Sequence, residues 1–205
     1  MRRKHIIQKL HQPRTHVLTA EEVEKVLAVP DVETARGLRD RAILETFYST
    51  GVLCRELIGL KLSDVDAERR TVLIRQGRDG KARIIPIGER ALGWIDKYLC
   101  EVRPGHALGR GDHALFLSHK GECIKAERLA ATVAAYIDRA NIGKHGSCAL
   151  LRHTVKSLML EGGADERCVQ VMLGHARHSI LELYSRVSIE DLQRVHADAH
   201  PAATG

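Results

Sequence analysis

The spacing of apolar positions divides most of the chain into helical segments. Thr19-Ala-Glu-Glu22 has the pattern of a capping box, which predicts a helix from there to about Ala28. Apolar residues at helical spacing predict a second helix over Thr34–Ser49, ended by Thr50-Gly51. The remaining predicted helices are Arg55–Leu60, Gly88–Leu99, Lys125–Ala140, Ala149–Glu161, Asp165–Leu173, Ser179–Tyr184 and Ile189–Ala199.

Two short runs instead have the composition of β-strands. They are Thr71–Arg75 and Ala82–Ile87, and the turn-rich stretch Gln-Gly-Arg-Asp-Gly-Lys81 between them predicts a hairpin with Lys81 at its mouth. Ala114–Leu117 is a candidate for another extended segment, and Glu101–His113 is predicted to be a loop. The predicted fold class is therefore mainly α with a small antiparallel β-sheet (α+β).

Composition narrows the class of protein. A chain of 205 residues with 44% apolar residues suits one domain with a real core. Its formal net charge of +6 fits an anionic partner, although charge alone is a weak signal. The five cysteines are scattered, odd in number and without a CxxC pair, which is typical of reduced thiols. Such thiols indicate a cytoplasmic protein. No apolar run approaches membrane-spanning length, so we expect no membrane contact.

Candidate chemistry is concentrated in the stretch Ala149–Tyr184. Arg152 and His175 can bind a phosphate and stabilise charge that builds on it, and Tyr184 can attack that phosphate. No Gly-rich nucleotide loop, paired acidic metal site or Cys/His metal cluster accompanies them in the sequence. The combination predicts covalent phosphoryl transfer on a large anionic partner, without metal, cofactor or nucleotide.

The amino-acid sequence of this stretch resembles that of the tyrosine recombinase family, which includes phage and plasmid integrases and Xer-type recombinases. LRHT, LMLEGGAD and VMLGH occur in the family's order, and a tyrosine follows nine residues after that histidine. The resemblance runs from about Leu18 to Pro201. It implies the catalytic-domain fold of the family, and the cleavage and rejoining of double-stranded DNA through a 3′-phosphotyrosine.

The resemblance also implies a role for each candidate catalytic residue. Tyr184 is the nucleophile, and Arg152 holds two phosphate oxygens with its planar fork. His175 donates a hydrogen bond to the phosphate, and Lys81 is the general acid that protonates the leaving 5′-hydroxyl. His153 follows Arg152 directly and cannot face the same way on a helix, so we interpret it as a structural residue.

Domain organisation is inferred from the same comparison. Residues 1–18 carry five Lys or Arg and no Asp or Glu, which by charge alone fits either a solvated tail or a basic arm along DNA. The resemblance favours the basic linker or arm. Residues 19–187 form the expected catalytic domain, and 188–205 form a C-terminal helix and tail. In the family a separate N-terminal DNA-binding domain precedes such a linker, so the chain is interpreted as a catalytic domain alone or a truncated gene product. Active family members assemble as homotetramers on DNA, and Ile189–Ala199 is the candidate segment for packing on a neighbouring subunit.

Two positions depart from the family pattern. The pattern TG-x-R-x-x-E-L places Leu53 where an arginine is expected, and H-x-x-R-H places Ala149 where a histidine is expected. Arg55 is close to the first gap, but on a helix it is rotated by about 200° from position 53. His145 lies upstream of the second gap in a glycine-bounded loop. Two lost donors would slow cleavage by on the order of 10⁴–10⁶, so we expect impaired activity with DNA binding largely kept.

Two functional hypotheses remain open from the sequence. One is a recombinase that cuts and rejoins DNA, supported by Tyr184, Arg152, His175 and Lys81. The other is a DNA-binding or assembly module of the same descent without efficient chemistry. A third alternative, a helix-turn-helix regulator, is disfavoured by the hairpin lysine and the LRHT…LGH…Tyr pattern, because a repressor does not need catalytic residues. A type IB topoisomerase would share the chemistry, but the motifs here look like those of integrases.

Overall fold

The structure of the chain is a computed structural model that describes residues 17–77, 80–107, 113–174 and 187–202. Among the helices in these ranges, the longest has 16 residues, and none has the length and apolar character needed to cross a bilayer. In chain order the elements are α1 (Ala20–Leu27), α2 (Ala35–Thr50), α3 (Cys54–Ile58), a 3₁₀ helix (Leu62–Asp64), β1 (Val65–Asp66), β2 (Thr71–Ile74), β3 (Arg83–Pro86), α4 (Glu89–Glu101), α5 (Arg103–His106), α6 (Ala126–Arg139), α7 (Cys148–Glu161), α8 (Glu166–Leu173) and α9 (Ile189–Ala199).

The predicted fold class is confirmed. The strands form one antiparallel sheet in the order β1-β2-β3, with Thr71 opposite Pro86 and Ile74 opposite Arg83. The two-residue strand β1 was not predicted, because so short a run carries no periodic signal. The expectation of a loop throughout 101–113 was wrong in one part, since α5 lies within it. Pro104 in its first turn is compatible with a helix, because the N–H that proline lacks would be unpaired there.

The predicted helix ends have clear local causes. At the start of α1, the backbone N–H of Thr19 donates to Glu22 Oε2 at 2.8 Å, and that of Glu22 donates to Thr19 Oγ1 at 3.1 Å. This reciprocal pair is the capping box that the sequence predicted. At the other end of the next helix, Gly51 adopts a left-handed conformation with φ of 59° and ends α2.

Helix α2 lies at the centre of the core and is buried along nearly its whole length. It carries buried charges, and each of them is paired. Asp40 accepts from Arg39 at 2.7 Å and from the hydroxyl of Tyr136 at 2.8 Å, and Glu45 accepts from Arg90 at 2.9 Å. Helices α4 and α7 both pack against α2. Paired charges let a partly polar helix occupy the core without the large cost of an unpaired buried ion.

The C-terminal helix α9 packs on its own chain, against β3, α7 and α8. Nε2 of His196 donates to the carbonyl of Ser49, and Nε2 of His200 donates to the carbonyl of Tyr48, both at 2.8 Å. The two imidazole rings stack with centroids 4.7 Å apart. Burial lowers the pKa of His196 below its ordinary value. Burial, together with the repulsion that a protonated His196 would exert, lowers the pKa of His200 to about 3. Two neutral histidines therefore attach the C-terminal segment to the end of α2.

Candidate active site

Arg152 lies at the point where three helices meet. It is on α7, and only 6% of its surface is exposed. Its Nη1 donates to the carbonyl of Gly51 at the end of α2 at 2.6 Å, and its Nη2 donates to the carbonyl of Leu173 at the end of α8. Carbonyls at helix C-termini carry partial negative charge, which favours a cation there. The two bonds fix the plane of the guanidinium group, so Arg152 is a built-in part of the domain and not a surface ion pair.

The close approach of the helix ends around Arg152 requires glycine at position 51. A Cβ on Gly51 would lie 2.6 Å from Cδ2 of Leu173 and 3.1 Å from Cγ1 of Val155. The positive φ of this residue is also a conformation that other residues rarely adopt. The break predicted at Thr50-Gly51 thus serves the site directly, since it brings a carbonyl to Arg152.

A second arginine lies beside the first, in a buried ion pair with Glu56. Nη1 and Nη2 of Arg83 donate to Oε1 and Oε2 of Glu56 at 2.8 and 2.9 Å. The side chain of Arg83 is 11% exposed and that of Glu56 is 0% exposed. Nε of Arg83 donates to the carbonyl of Met172 at 3.1 Å. Consecutive carbonyls in the last turn of α8 are therefore held by two different arginines, immediately before its left-handed cap at Gly174.

The electrostatics of Glu56 follow from these contacts. Burial alone would raise its pKa, but the hydrogen bonds from Arg83 and from the backbone N–H of Leu53 lower it, as do the charges of Arg83 and Arg152. The net effect lowers the pKa of Glu56 below its ordinary value, so the group is a carboxylate at neutral pH. Glu56 thus lies between two guanidinium groups, and it forms its ion pair with that of Arg83.

Glu56 and Arg83 were not predicted to be site residues. Glu56 is the glutamate of the pattern TG-x-R-x-x-E-L, and Arg83 belongs to none of the motifs that carry the resemblance. One local signal points to Arg83. It lies two residues before Ile85 in β3, so both side chains are on the same face of the strand, and Ile85 is fully buried. An arginine on the inward face of a strand needs a buried acidic partner, and the strand does not say which segment supplies it.

The two departures from the family pattern occupy the edges of this cluster. Leu53 is half-buried and is the N-cap of α3, where its N–H donates to Glu56 Oε2 at 2.8 Å. Ala149 is exposed near the start of α7, three residues before Arg152. Residues three apart lie on the same side of a helix, so a side chain at position 149 would be a neighbour of Arg152. Neither position supplies a polar side chain.

Arg55 and His145 are the residues nearest in sequence to the missing arginine and histidine, and both are exposed. Arg55 is exposed, and its neighbour Glu56 is the residue of α3 that enters the buried cluster. Nδ1 of His145 lies 2.7 Å from Oδ1 of Asp138, and its side chain is 85% exposed. His153 is exposed while Arg152 is buried, as expected for adjacent helical residues. It lines a surface depression of about 550 Å³, together with Val17, His145, Leu150, Lys156, Ser157 and Leu160.

Of the remaining predicted catalytic residues, the structure describes Lys81 alone. Lys81 is exposed on the β2–β3 hairpin, and its carbonyl accepts from the N–H of Gly77 at 3.0 Å. The base of that hairpin lies against the buried ion pair, since a Cβ on Gly77 would come within 2.9 Å of Arg83 Nη1. His175 and Tyr184 lie outside the described residues. The structure therefore places Arg152 in the buried cluster and Lys81 on the hairpin beside it.

The mainly helical fold, with one three-stranded antiparallel sheet, is that of tyrosine recombinase catalytic domains. It superposes on XerA recombinase with a TM-score of 0.69 at 26% identity, covering 93% of this chain and 65% of that one. It superposes on XerH site-specific recombinase, bound to its difH substrate before cleavage, with a TM-score of 0.68 at 25% identity, covering 83% and 50%. Residues 16–190 match the phage integrase family, and the chain belongs to that family.

Relatives with known names agree with this assignment. The chain is 46% identical over 192 residues to Tyrosine recombinase XerC 2 of Ralstonia nicotianae, covering 94% of this chain and 55% of that protein. It is 36% identical over 192 residues to Tyrosine recombinase XerD of Pseudomonas aeruginosa, covering 94% and 64%. The chain thus spans between about half and two thirds of the length of these relatives.

Proposed function

We propose that this chain binds double-stranded DNA and acts in site-specific recombination, by breaking and rejoining a strand through a 3′-phosphotyrosine. The observation that carries the proposal is the buried Arg152, held by the ends of α2 and α8 in a member of the phage integrase family. A guanidinium group fixed in this way is a preorganised phosphate ligand, because its orientation costs nothing further when the phosphate arrives. The DNA-bound state of the related XerH supports the choice of DNA as partner.

The proposed catalytic groups all belong to this chain. The phenol of Tyr184 gives up its proton to water as its oxygen attacks the phosphorus in line, forming the tyrosyl–phosphate bond while the bond to the 5′-oxygen breaks. Arg152 and His175 stabilise the charge on the non-bridging oxygens, and Lys81 gives a proton to the departing 5′-oxygen. Rejoining is the reverse reaction with a new 5′-hydroxyl. Because the phosphotyrosine keeps the energy of the broken bond, no nucleotide is consumed.

We further propose that strand cleavage is impaired. Leu53 and Ala149 lie at the edges of the Arg152–Glu56–Arg83 cluster and offer the phosphate no hydrogen bond. Each missing preorganised donor lowers the rate by about 10²–10³. The second candidate function follows from the same observation. The chain would then serve as a DNA-binding or assembly module descended from a truncated integrase.

The partner and domain assignments are proposals of the same kind. Residues 1–18 act as a basic arm along the DNA backbone, 19–187 form the catalytic domain, and 188–205 form its C-terminal helix and tail. The active assembly is a homotetramer on DNA, in the cytoplasm. Transfer of α9 to a neighbouring subunit would have to break the bonds from His196 and His200 to α2, so the packing within one chain represents the state before assembly.

DNA binding can be tested without knowledge of the target sequence. Affinity for a fluorescent duplex is measured by anisotropy at several salt concentrations. Each phosphate contact adds about 0.9 to the slope with which log Kobs falls as log salt concentration rises. We expect a steep slope for the full chain. Replacing the five Lys and Arg of residues 1–18 by Gln should reduce that slope by up to about 4–5. Absence of binding at low salt would contradict the proposed partner, and an unchanged slope would contradict the arm.

A further inference from the structure

The guanidinium group of Arg83 lies where three segments of the chain meet. It donates to both carboxylate oxygens of Glu56 in α3, at 2.8 and 2.9 Å, and to the carbonyl of Met172 in α8, at 3.1 Å. A Cβ on Gly174, the C-cap of α8, would lie 3.0 Å from its Cζ. The third segment is the β2–β3 hairpin, where a Cβ on Gly77 would lie 2.9 Å from Nη1 of Arg83. Glycine at both positions lets the two backbones approach the guanidinium group directly.

The same guanidinium group lies beside the hairpin loop that carries Lys81. The ladder between β2 and β3 ends at the pair Ile74 and Arg83, so Lys81 lies two residues beyond it. The carbonyl of Lys81 accepts from the N–H of Gly77 at 3.0 Å, which closes the loop at its base. A Cβ on Gly77 would lie 2.8 Å from that carbonyl. Because Arg83 is itself bonded to α3 and α8, its contact with Gly77 sets the position of the loop relative to those helices.

We propose that Arg83 is a positioning residue for Lys81 in strand cleavage, an inference that rests on the proposed function. Lys81 gives its proton to the departing 5′-oxygen, and Arg152 holds the phosphate. Arg83 and Arg152 donate to consecutive carbonyls in the last turn of α8, so the hairpin and the phosphate ligand have a common support. A misplacement of about 1 Å in a reacting group can lower a rate by about 10²-fold.

These contacts require a guanidinium group. Its Nε, Nη1 and Nη2 donate in fixed directions within one plane, whereas lysine carries its charge on a single nitrogen at the end of a flexible chain. The change Arg83→Lys therefore keeps a cation beside the buried carboxylate of Glu56 and removes the fixed geometry. It separates the effect of position from the effect of charge.

The test compares two leaving groups. The reference protein is whichever of the wild type and the double variant Leu53→Arg, Ala149→His gives the stronger Tyr184-dependent adduct on nicked duplexes with randomised arms. The cleaved sequence is recovered from that adduct, and one duplex is made twice, with oxygen or with sulfur as the 5′-bridging atom. A thiol is a much stronger acid than an alcohol, so the thiolate leaves without a proton and Lys81 is not needed.

The expected rates differ between the two duplexes. With oxygen, Lys81→Ala should slow adduct formation by about 10²–10⁴-fold and Arg83→Lys by about 10²-fold, whereas with sulfur both should react at nearly the reference rate. Gly77→Ala keeps Arg83 but inserts a Cβ against its Nη1, so it should behave like Arg83→Lys. The matched control is Arg70→Lys, because Arg70 forms an exposed ion pair with Glu89, and it should match the reference on both duplexes. Urea unfolding checks that each variant is folded at the assay temperature.

Two results would overturn the inference alone. One is that Arg83→Lys and Gly77→Ala cleave the oxygen duplex as fast as the reference protein. The other is that both are slowed equally with oxygen and with sulfur while Lys81→Ala recovers with sulfur, since this pattern indicates general damage to the site. Failure of Lys81→Ala to recover would remove the general acid that Arg83 is proposed to position. Absence of a Tyr184-dependent adduct from every protein would contradict the proposed function itself, and this inference with it.

Discussion

The buried ion pair between Glu56 and Arg83 allows a quantitative prediction. The change Glu56→Gln keeps the shape of the side chain and its bond to the N–H of Leu53, but removes the negative charge. Arg83 then loses the carboxylate that balances its charge, and its side chain is only 11% exposed. Breaking a buried pair in this way costs about 3–5 kcal/mol, and we expect the lower end because glutamine still accepts one hydrogen bond. For a chain of 205 residues that corresponds to a fall in Tm of roughly 6–12 °C.

The assay is urea unfolding followed by circular dichroism, applied to a double-mutant cycle. Glu56→Gln, Arg83→Met and the double variant are compared with the wild type, and we expect a coupling energy of about 2–3 kcal/mol. The control is Glu89→Gln, since Glu89 accepts from Arg70 at 2.7 Å on the surface, with side chains 75% and 58% exposed. An exposed pair of that kind contributes at most about 1 kcal/mol. A coupling energy below about 0.5 kcal/mol for Glu56 and Arg83 would refute the reasoning.

Two further predictions concern the glycine at the end of α2 and the buried His200 of the C-terminal segment. Gly51→Ala should destabilise by roughly 2–4 kcal/mol in urea unfolding, because it combines backbone strain with the contact to Leu173. Gly143→Ala, which has a positive φ but no atom within 4 Å of the new Cβ, should cost only about 1 kcal/mol; equal losses would contradict this. The pKa of His200 falls from about 6.5 to about 3 on folding, so the unfolded chain binds more protons in that window and stability is lost as pH drops. From pH 7 to pH 5 this residue should cost roughly 2 kcal/mol, and His200→Gln should show a correspondingly weaker pH dependence; an unchanged dependence would contradict the assignment.

Local signals predicted much of the fold. The capping box at Thr19, the break at Gly51 and the hairpin before Arg83 each depend on a few neighbouring residues, and the structure places each of them as expected. The short helix α5 and the two-residue strand β1 were missed, because neither is long enough for a periodic pattern. Their existence depends on tertiary contacts, which outweigh weak local preference.

The site was harder to predict, because its contacts join distant segments. The motif around Arg152 indicated a phosphate ligand, but not that carbonyls of Gly51 and Leu173 would hold it. The pairing of Glu56 with Arg83 spans 27 residues and two different element types. In the same way, the periodicity of residues 189–199 predicted α9 but not the burial of His196 against α2. Sequence patterns show which face of an element is apolar, and only the assembled fold shows which polar groups meet.

Covalent trapping on a nicked suicide DNA substrate tests the central claim most directly. A pool of nicked duplexes with randomised arms avoids the need for a known target, and a denaturing gel reports a protein–DNA adduct. We expect a strong adduct from the double variant Leu53→Arg, Ala149→His, a much weaker one from the wild type, and none when Tyr184→Phe is added to either. An adduct that persists with Tyr184→Phe would contradict the assignment of the nucleophile. A wild-type adduct as strong as that of the double variant would contradict the impairment assigned to Leu53 and Ala149.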